Sequence, residues 1–179
     1  MIRRLLDNLY RLSGLLAAVF LLLICLLVIC QVGCNLIDRV SALVTGTAVG
    51  LTIPSYADFT GFLLAASSFL ALAYTMRSGG HIRVTLFFSR LGGRMRRIFE
   101  GWCLLVAAAI TVYFAWYTGN LLYESFVYND LSPGMVAVPL WIPQSAMLLG
   151  LVILAVSLLD DLVCLLRTGS PSYRTEEKK

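Results

Sequence analysis

Five cysteines are the first residues in this sequence that could do chemistry. Thiols in pairs form disulfides or pass electrons to a quinone, and a thiol oxidase of that kind needs its pairs on the oxidising side of a membrane. Cys25, Cys30 and Cys34 lie inside one apolar run, Cys103 lies inside a second and Cys164 near the end of a third, so all five read as small apolar residues of helices. His81 is the single histidine, which excludes a histidine-rich metal or haem site. No serine or cysteine has a plausible base to activate it, and no glycine-rich phosphate loop is present, so neither an enzyme nor a cofactor is expected.

The acids matter more, because a charge at the centre of a bilayer costs roughly 2.5–3.5 kcal/mol even on the mildest scale. Asp58 opens an apolar run, and Asp160 and Asp161 lie near the end of another, close to where Arg77, Arg83 and Arg167 should sit, which predicts structural ion pairs. Glu100 follows Arg96 and Arg97 at helix-surface spacing. No acid occurs at the middle of the first apolar run, the feature a small proton-coupled exporter would need, so the chain does not look able to move a solute alone.

These residues are carried by a chain of 179 residues that is 59% hydrophobic and 13% charged, about half the charge of an ordinary soluble domain. A hydrocarbon core of about 30 Å takes about 20 apolar residues in a helix, and four runs qualify: 12–37, 57–76, 100–123 and 141–165. The first is too long for a secretory signal and reads as a retained anchor. The sequence therefore predicts an all-α integral membrane protein, one four-helix domain over 1–168 with a disordered tail at 169–179.

Thirteen of the 14 lysines and arginines fall in the N-terminal segment, in 77–97 and in the tail, whereas the other two connections hold only Arg39. The basic side is the cytoplasmic one, which puts both termini inside and two connections outside a bacterial inner membrane. Within 81–98, Val84, Phe87, Phe88, Leu91, Met95 and Ile98 recur at helical spacing among Arg83, Arg90, Arg94, Arg96 and Arg97. This pattern predicts an amphipathic segment on the cytoplasmic surface, with His81, Arg83 and Arg90 towards phospholipid head groups and Phe87 and Phe88 in the boundary. A nucleic-acid partner has no soluble domain to support it.

On the second run Asp58, Gly61, Ala65 and Ser68 form a small, polar stripe, and Ala108, Thr111, Ala115 and Thr118 repeat the device on the third. Such stripes let helix backbones approach, either inside the bundle or against another subunit. Outside, 40–54 is nearly uncharged, and 124–140 carries Glu124, Asp130 and the Ser132-Pro133-Gly134 turn, followed by Pro139 and Pro143 around Trp141. That second loop looks rigid, slightly acidic and large enough to present a surface.

The run Tyr74-Thr75-Met76-Arg77-Ser78-Gly79-Gly80-His81-Ile82-Arg83-Val84, the acid at the mouth of the second helix, Ser132-Pro133-Gly134 and Val138-Pro139-Leu140-Trp141-Ile142-Pro143-Gln144 together resemble the small membrane subunit of tripartite ATP-independent periplasmic (TRAP) transporters over about residues 1–168. Many members have glutamate where this chain has Asp58. The resemblance implies a secondary transporter in which a periplasmic binding protein delivers an organic acid to a large multi-span subunit, which moves it by cation symport while the small subunit braces it. The stripe at Asp58, Gly61, Ala65 and Ser68 would then face the large subunit, and Glu124, Asp130, Pro133 and Gly134 would belong to a docking loop for the binding protein. The rival reading is a self-sufficient homo-oligomeric transporter or channel, which would require an intramembrane charge facing a pore.

Overall fold

The computed structural model describes residues 2–47, 49–77 and 93–168. They form four helices, α1 (Ile2–Thr45), α2 (Tyr56–Arg77), α3 (Gly93–Val127) and α4 (Trp141–Thr168). All four are long and apolar enough to cross a membrane, and no strand occurs among the described residues, so this is an all-α, multi-pass membrane protein. His81, Arg83, Phe87, Phe88 and Arg90 lie outside the described residues, as does the tail from 169. The last part of the expected surface segment, 93–98, instead forms the opening turns of α3. Gly93 begins that helix.

The helices do not close into a square bundle. They stand in an open row in the order α1, α2, α4, α3: α1 packs on α2, α2 on α4 and α4 on α3, while α1 barely touches α4. Along α1 the positions turned inward are Tyr10, Ser13, Ala17, Phe20, Ile24, Leu27 and Gln31, alternately three and four residues apart. That period of 3.5 is the one that keeps a seam facing a neighbouring helix over many turns. Tyr10, Ala17, Leu70 and Ala73 meet Ile153 of α4 in one cluster, and Leu104, Ala108, Leu158 and Leu165 form a second between α3 and α4.

Close contact depends on two glycines. A Cβ on Gly14 would come within 2.6 Å of the Tyr74 ring, and one on Gly150 within 2.5 Å of the Phe69 carbonyl carbon. At Gly150, α4 therefore lies directly on the backbone of α2, and at the α1–α2 seam the Ser13 hydroxyl donates to the Leu70 carbonyl. Between membrane helices such close approach and hydrogen bonding replace the hydrophobic drive that lipid abolishes.

At 44 residues α1 is about 66 Å long, more than twice a hydrocarbon core. Level with its Gln31 the chain returns to begin α2, so 32–45 overshoots the start of α2 by about 20 Å.

Candidate functional site

The end of the row that carries the α1–α2 and α3–α4 connections is held by two sets of polar contacts. The first ties the returning segment to α1. Gly46 and Gly50 have φ of +72° and +73°, which glycine adopts without strain, and they turn the chain back. Asp38 Oδ1 then accepts the Gly50 N–H at 2.7 Å, and Gln31 Oε1 accepts the Ile53 N–H at 2.9 Å. Gln31 also donates through Nε2 to Asn35 Oδ1 at 3.3 Å. Residues 31, 35 and 38 share the polar face of an α1 extension whose other face, with Leu36, Val40 and Leu43, is exposed.

This tie is testable. A Cβ at Gly50 would meet nothing within 4 Å, so Gly50→Ala tests the conformation alone, at about 1 kcal/mol for the left-handed geometry. Asp38→Ala removes the acceptor instead. Each substitution should speed protease cutting within 46–54 about fivefold, the population change that energy produces. An unchanged cutting rate in both variants would show that the tie does not hold the segment.

The second set joins α2 to the α3–α4 connection. Helix α3 runs on to Val127, so Glu124 belongs to its last turn rather than to the loop, and the connection proper is 128–140. Asn129, at φ +52°, ends the helix: the Asp130 N–H reaches back to the Ser125 carbonyl at 3.1 Å, the bond of a Schellman cap. The chain then folds on itself. Ser132 N–H donates to the Val138 carbonyl and Leu140 N–H to the Asp130 carbonyl, each at 2.9 Å, around an isolated antiparallel bridge between Leu131 and Pro139. The buried Ser132 hydroxyl accepts from Val138 N–H at 3.1 Å and donates to the Val136 carbonyl at 3.3 Å. Pro143 falls in the first turn of α4, where a missing N–H costs nothing.

Onto this folded tip comes the start of α2. Ser55 is held at φ +56°, a strained region for serine that costs on the order of 1 kcal/mol. In that conformation its carbonyl accepts the N–H groups of Asp58 at 3.0 Å and Phe59 at 3.1 Å, while its hydroxyl accepts the Val136 N–H at 2.9 Å. Asp58 stands in the first turn of α2, where its charge complements the helix dipole. Its carboxylate lies so close to Gly134 that any Cβ there would overlap it, and the same Cβ would stand 2.7 Å from Ser55 Oγ.

Of the residues the sequence singled out, the structure thus brings Asp58 and Gly134 together. Pro133 and Asp130 are exposed on the same connection, and Glu124 is exposed on the last turn of α3. The two small stripes part company. On α3, Ala108 and Thr111 are buried against α4. On α2, Gly61 and Ser68 are exposed, Ala65 is half-buried, and a Cβ on Gly61 would meet nothing within 4 Å. The face of α2 used inside the chain is Ala66, Ser67, Leu70 and Ala73. Asp161 is buried at 1% exposure, whereas Asp160 is half-buried; the side chains of Arg77, Arg83 and Arg167, their expected partners, fall outside the described residues.

Sequence reasoning missed Gly14, Gly150, Gln31 and Ser55. The signals were Gly14 in the first apolar helix, which also holds Gly33, the single glycine Gly150 in the last, and polar residues spaced 31, 35, 38 at the end of an apolar run. Ser55 gave no signal of its own.

Residues 40–168 match the family described as tripartite ATP-independent periplasmic transporters, DctQ component. No match was found among curated proteins or among solved structures.

Proposed function

We propose that this chain, which belongs to the DctQ component family of tripartite ATP-independent periplasmic transporters, braces the large membrane subunit of its transporter and forms part of the landing surface for the periplasmic binding protein. The transporter takes up an organic acid by cation symport, with solute and ion sites in the large subunit. The charge asymmetry of the sequence supports an orientation with both termini in the cytoplasm of a bacterial inner membrane and the two connections in the periplasm. The arginine-rich segment before α3 holds the chain on the cytoplasmic leaflet through lipid phosphates.

The observation that carries the docking role is the contact of Ser55 and Asp58 with 134–136. A connection used only to join two helices needs a few flexible residues. Here it is folded on itself and locked to a neighbouring helix, so it loses little entropy when a partner lands. Exposed Asp130 at its rim attracts a partner bearing basic patches, chiefly through the association rate. The bracing role draws on the exposed side of α2 at Gly61 and Ser68, which no helix of this chain covers among the described residues.

Charge reversal tests docking. Asp130→Lys should slow uptake several-fold at low binding-protein concentration, approach the normal rate at high concentration, and leave recovery of the two membrane subunits intact. An unchanged concentration dependence would remove the landing surface from this loop.

A further inference from the structure

The two end helices of the row turn very different surfaces outward. On α1 the exposed side is aliphatic through the span: Leu12, Leu15, Val19, Leu22, Leu26 and Ile29. On α3 the side turned away from Ala108 and Thr111 carries Tyr113, Tyr117, Asn120 and Glu124, spaced four, three and four residues apart, and all four are exposed. Lipid suits the first surface and not the second.

Depth sharpens the contrast. Phe126 and Trp141 meet edge to face at 5.9 Å and mark the connection end of the α3–α4 pair. Tyr113 lies thirteen residues from Phe126, about 19 Å along the helix and past the middle of a 30 Å hydrocarbon core. Tyrosines that serve a membrane boundary sit at head-group level instead. The Tyr113 and Tyr117 rings are 4.6 Å apart, and two neighbouring phenols can satisfy at most one of their two hydroxyl protons between themselves. Asn120, one turn further out, presents an amide with two donors and an acceptor. Hydrocarbon satisfies none of these groups, and an unsatisfied polar group there costs several kcal/mol.

We infer that Tyr113, Tyr117, Asn120 and Glu124 form a seam against a membrane-spanning helix of the large transport subunit, a step that rests on the chain working beside such a subunit. The covering helix must offer hydrogen-bonding groups at the level of Tyr117 and Asn120 and a donor or cation at the level of Glu124. A second copy of this chain fits badly. A two-fold axis along the membrane normal at this face would set one Glu124 against the other, and like charges facing each other oppose association.

Photocrosslinking in native membranes, with both membrane subunits expressed together, decides the matter. A photoreactive benzoylphenylalanine replaces Tyr113 or Tyr117 on the seam, and Val19 or Leu22 on α1 for contrast. Positions 113 and 117 should give an adduct with the large subunit and positions 19 and 22 should not. Adducts at twice the mass of this chain, or none with the large subunit from 113 and 117 while that subunit still co-purifies, would overturn the seam and leave the bracing role standing. Failure of the large subunit to co-purify with the unsubstituted chain would instead overturn the functional proposal, and the seam with it. As a second measurement, Tyr117→Phe combined with Asn120→Leu keeps the shape but removes the polar groups. It should lower recovery of the large subunit about threefold for each hydrogen bond lost, while unchanged recovery would count against the seam.

Discussion

Replacing Gly150 with leucine should separate α2 from α4 and destroy the row as a single unit. The Cβ alone would stand 2.5 Å from the Phe69 carbonyl carbon and 2.6 Å from its oxygen, both of them backbone atoms that no rotamer change can move aside. Among the described residues, helix α4 packs on both α2 and α3, so a shift here is felt on both sides. Adding methylenes to a packed core costs typically 1–3 kcal/mol, and a leucine driven against backbone should exceed that range. Gly150→Ala should already lower the melting temperature of the detergent-purified chain, and Gly150→Leu should prevent recovery of folded protein. Gly61→Ala is the contrast, because a Cβ at Gly61 enters open space and should leave the melting temperature of the isolated chain unchanged. If Gly150→Ala melts like the parent, the crossing is looser than the structure has it.

The glycine pair also shows what the sequence could and could not convey. Four spans were legible because length and apolarity are properties of each run by itself. The order of the helices was not, since in lipid every face of a helix can be apolar and no polar side marks the outside. Small stripes on the second and third helices looked alike, yet Thr111 turned out to face α4 while Gly61 faces away from the chain. A run of small residues announces a close approach without naming what approaches. Asp58 and Ser132-Pro133-Gly134 were both legible as special positions, but their contact follows only once α2 stands beside α4. Gln31 and Asp38 lie at the polar end of α1, and their role as acceptors for a chain folding back appears only with the two positive-φ glycines in place.

The contact of Asp58 with Gly134 leads to the second large effect. Gly134→Ala should loosen the α3–α4 connection from α2, because the new methyl would overlap the Asp58 carboxylate and crowd Ser55 Oγ at 2.7 Å. One of these groups must move, and moving Ser55 breaks its bond to the Val136 N–H. At roughly 1–3 kcal/mol for overpacking, the released state gains about five- to a hundredfold in population. Protease cutting within 128–140 should rise accordingly, and uptake at low binding-protein concentration should fall, while both membrane subunits still co-purify. Asp58→Ala alone should do much less, costing about 0.3–1 kcal/mol for an acid lost from a helix N-terminus. In the double variant the carboxylate that the methyl strikes is gone, so the two changes should not add, and cutting should return most of the way to the Asp58→Ala level. Non-additivity of that sign is what a direct contact requires. Strict additivity would mean that Asp58 and Gly134 act separately, and the α3–α4 connection would have to be held to α2 by Ser55 alone.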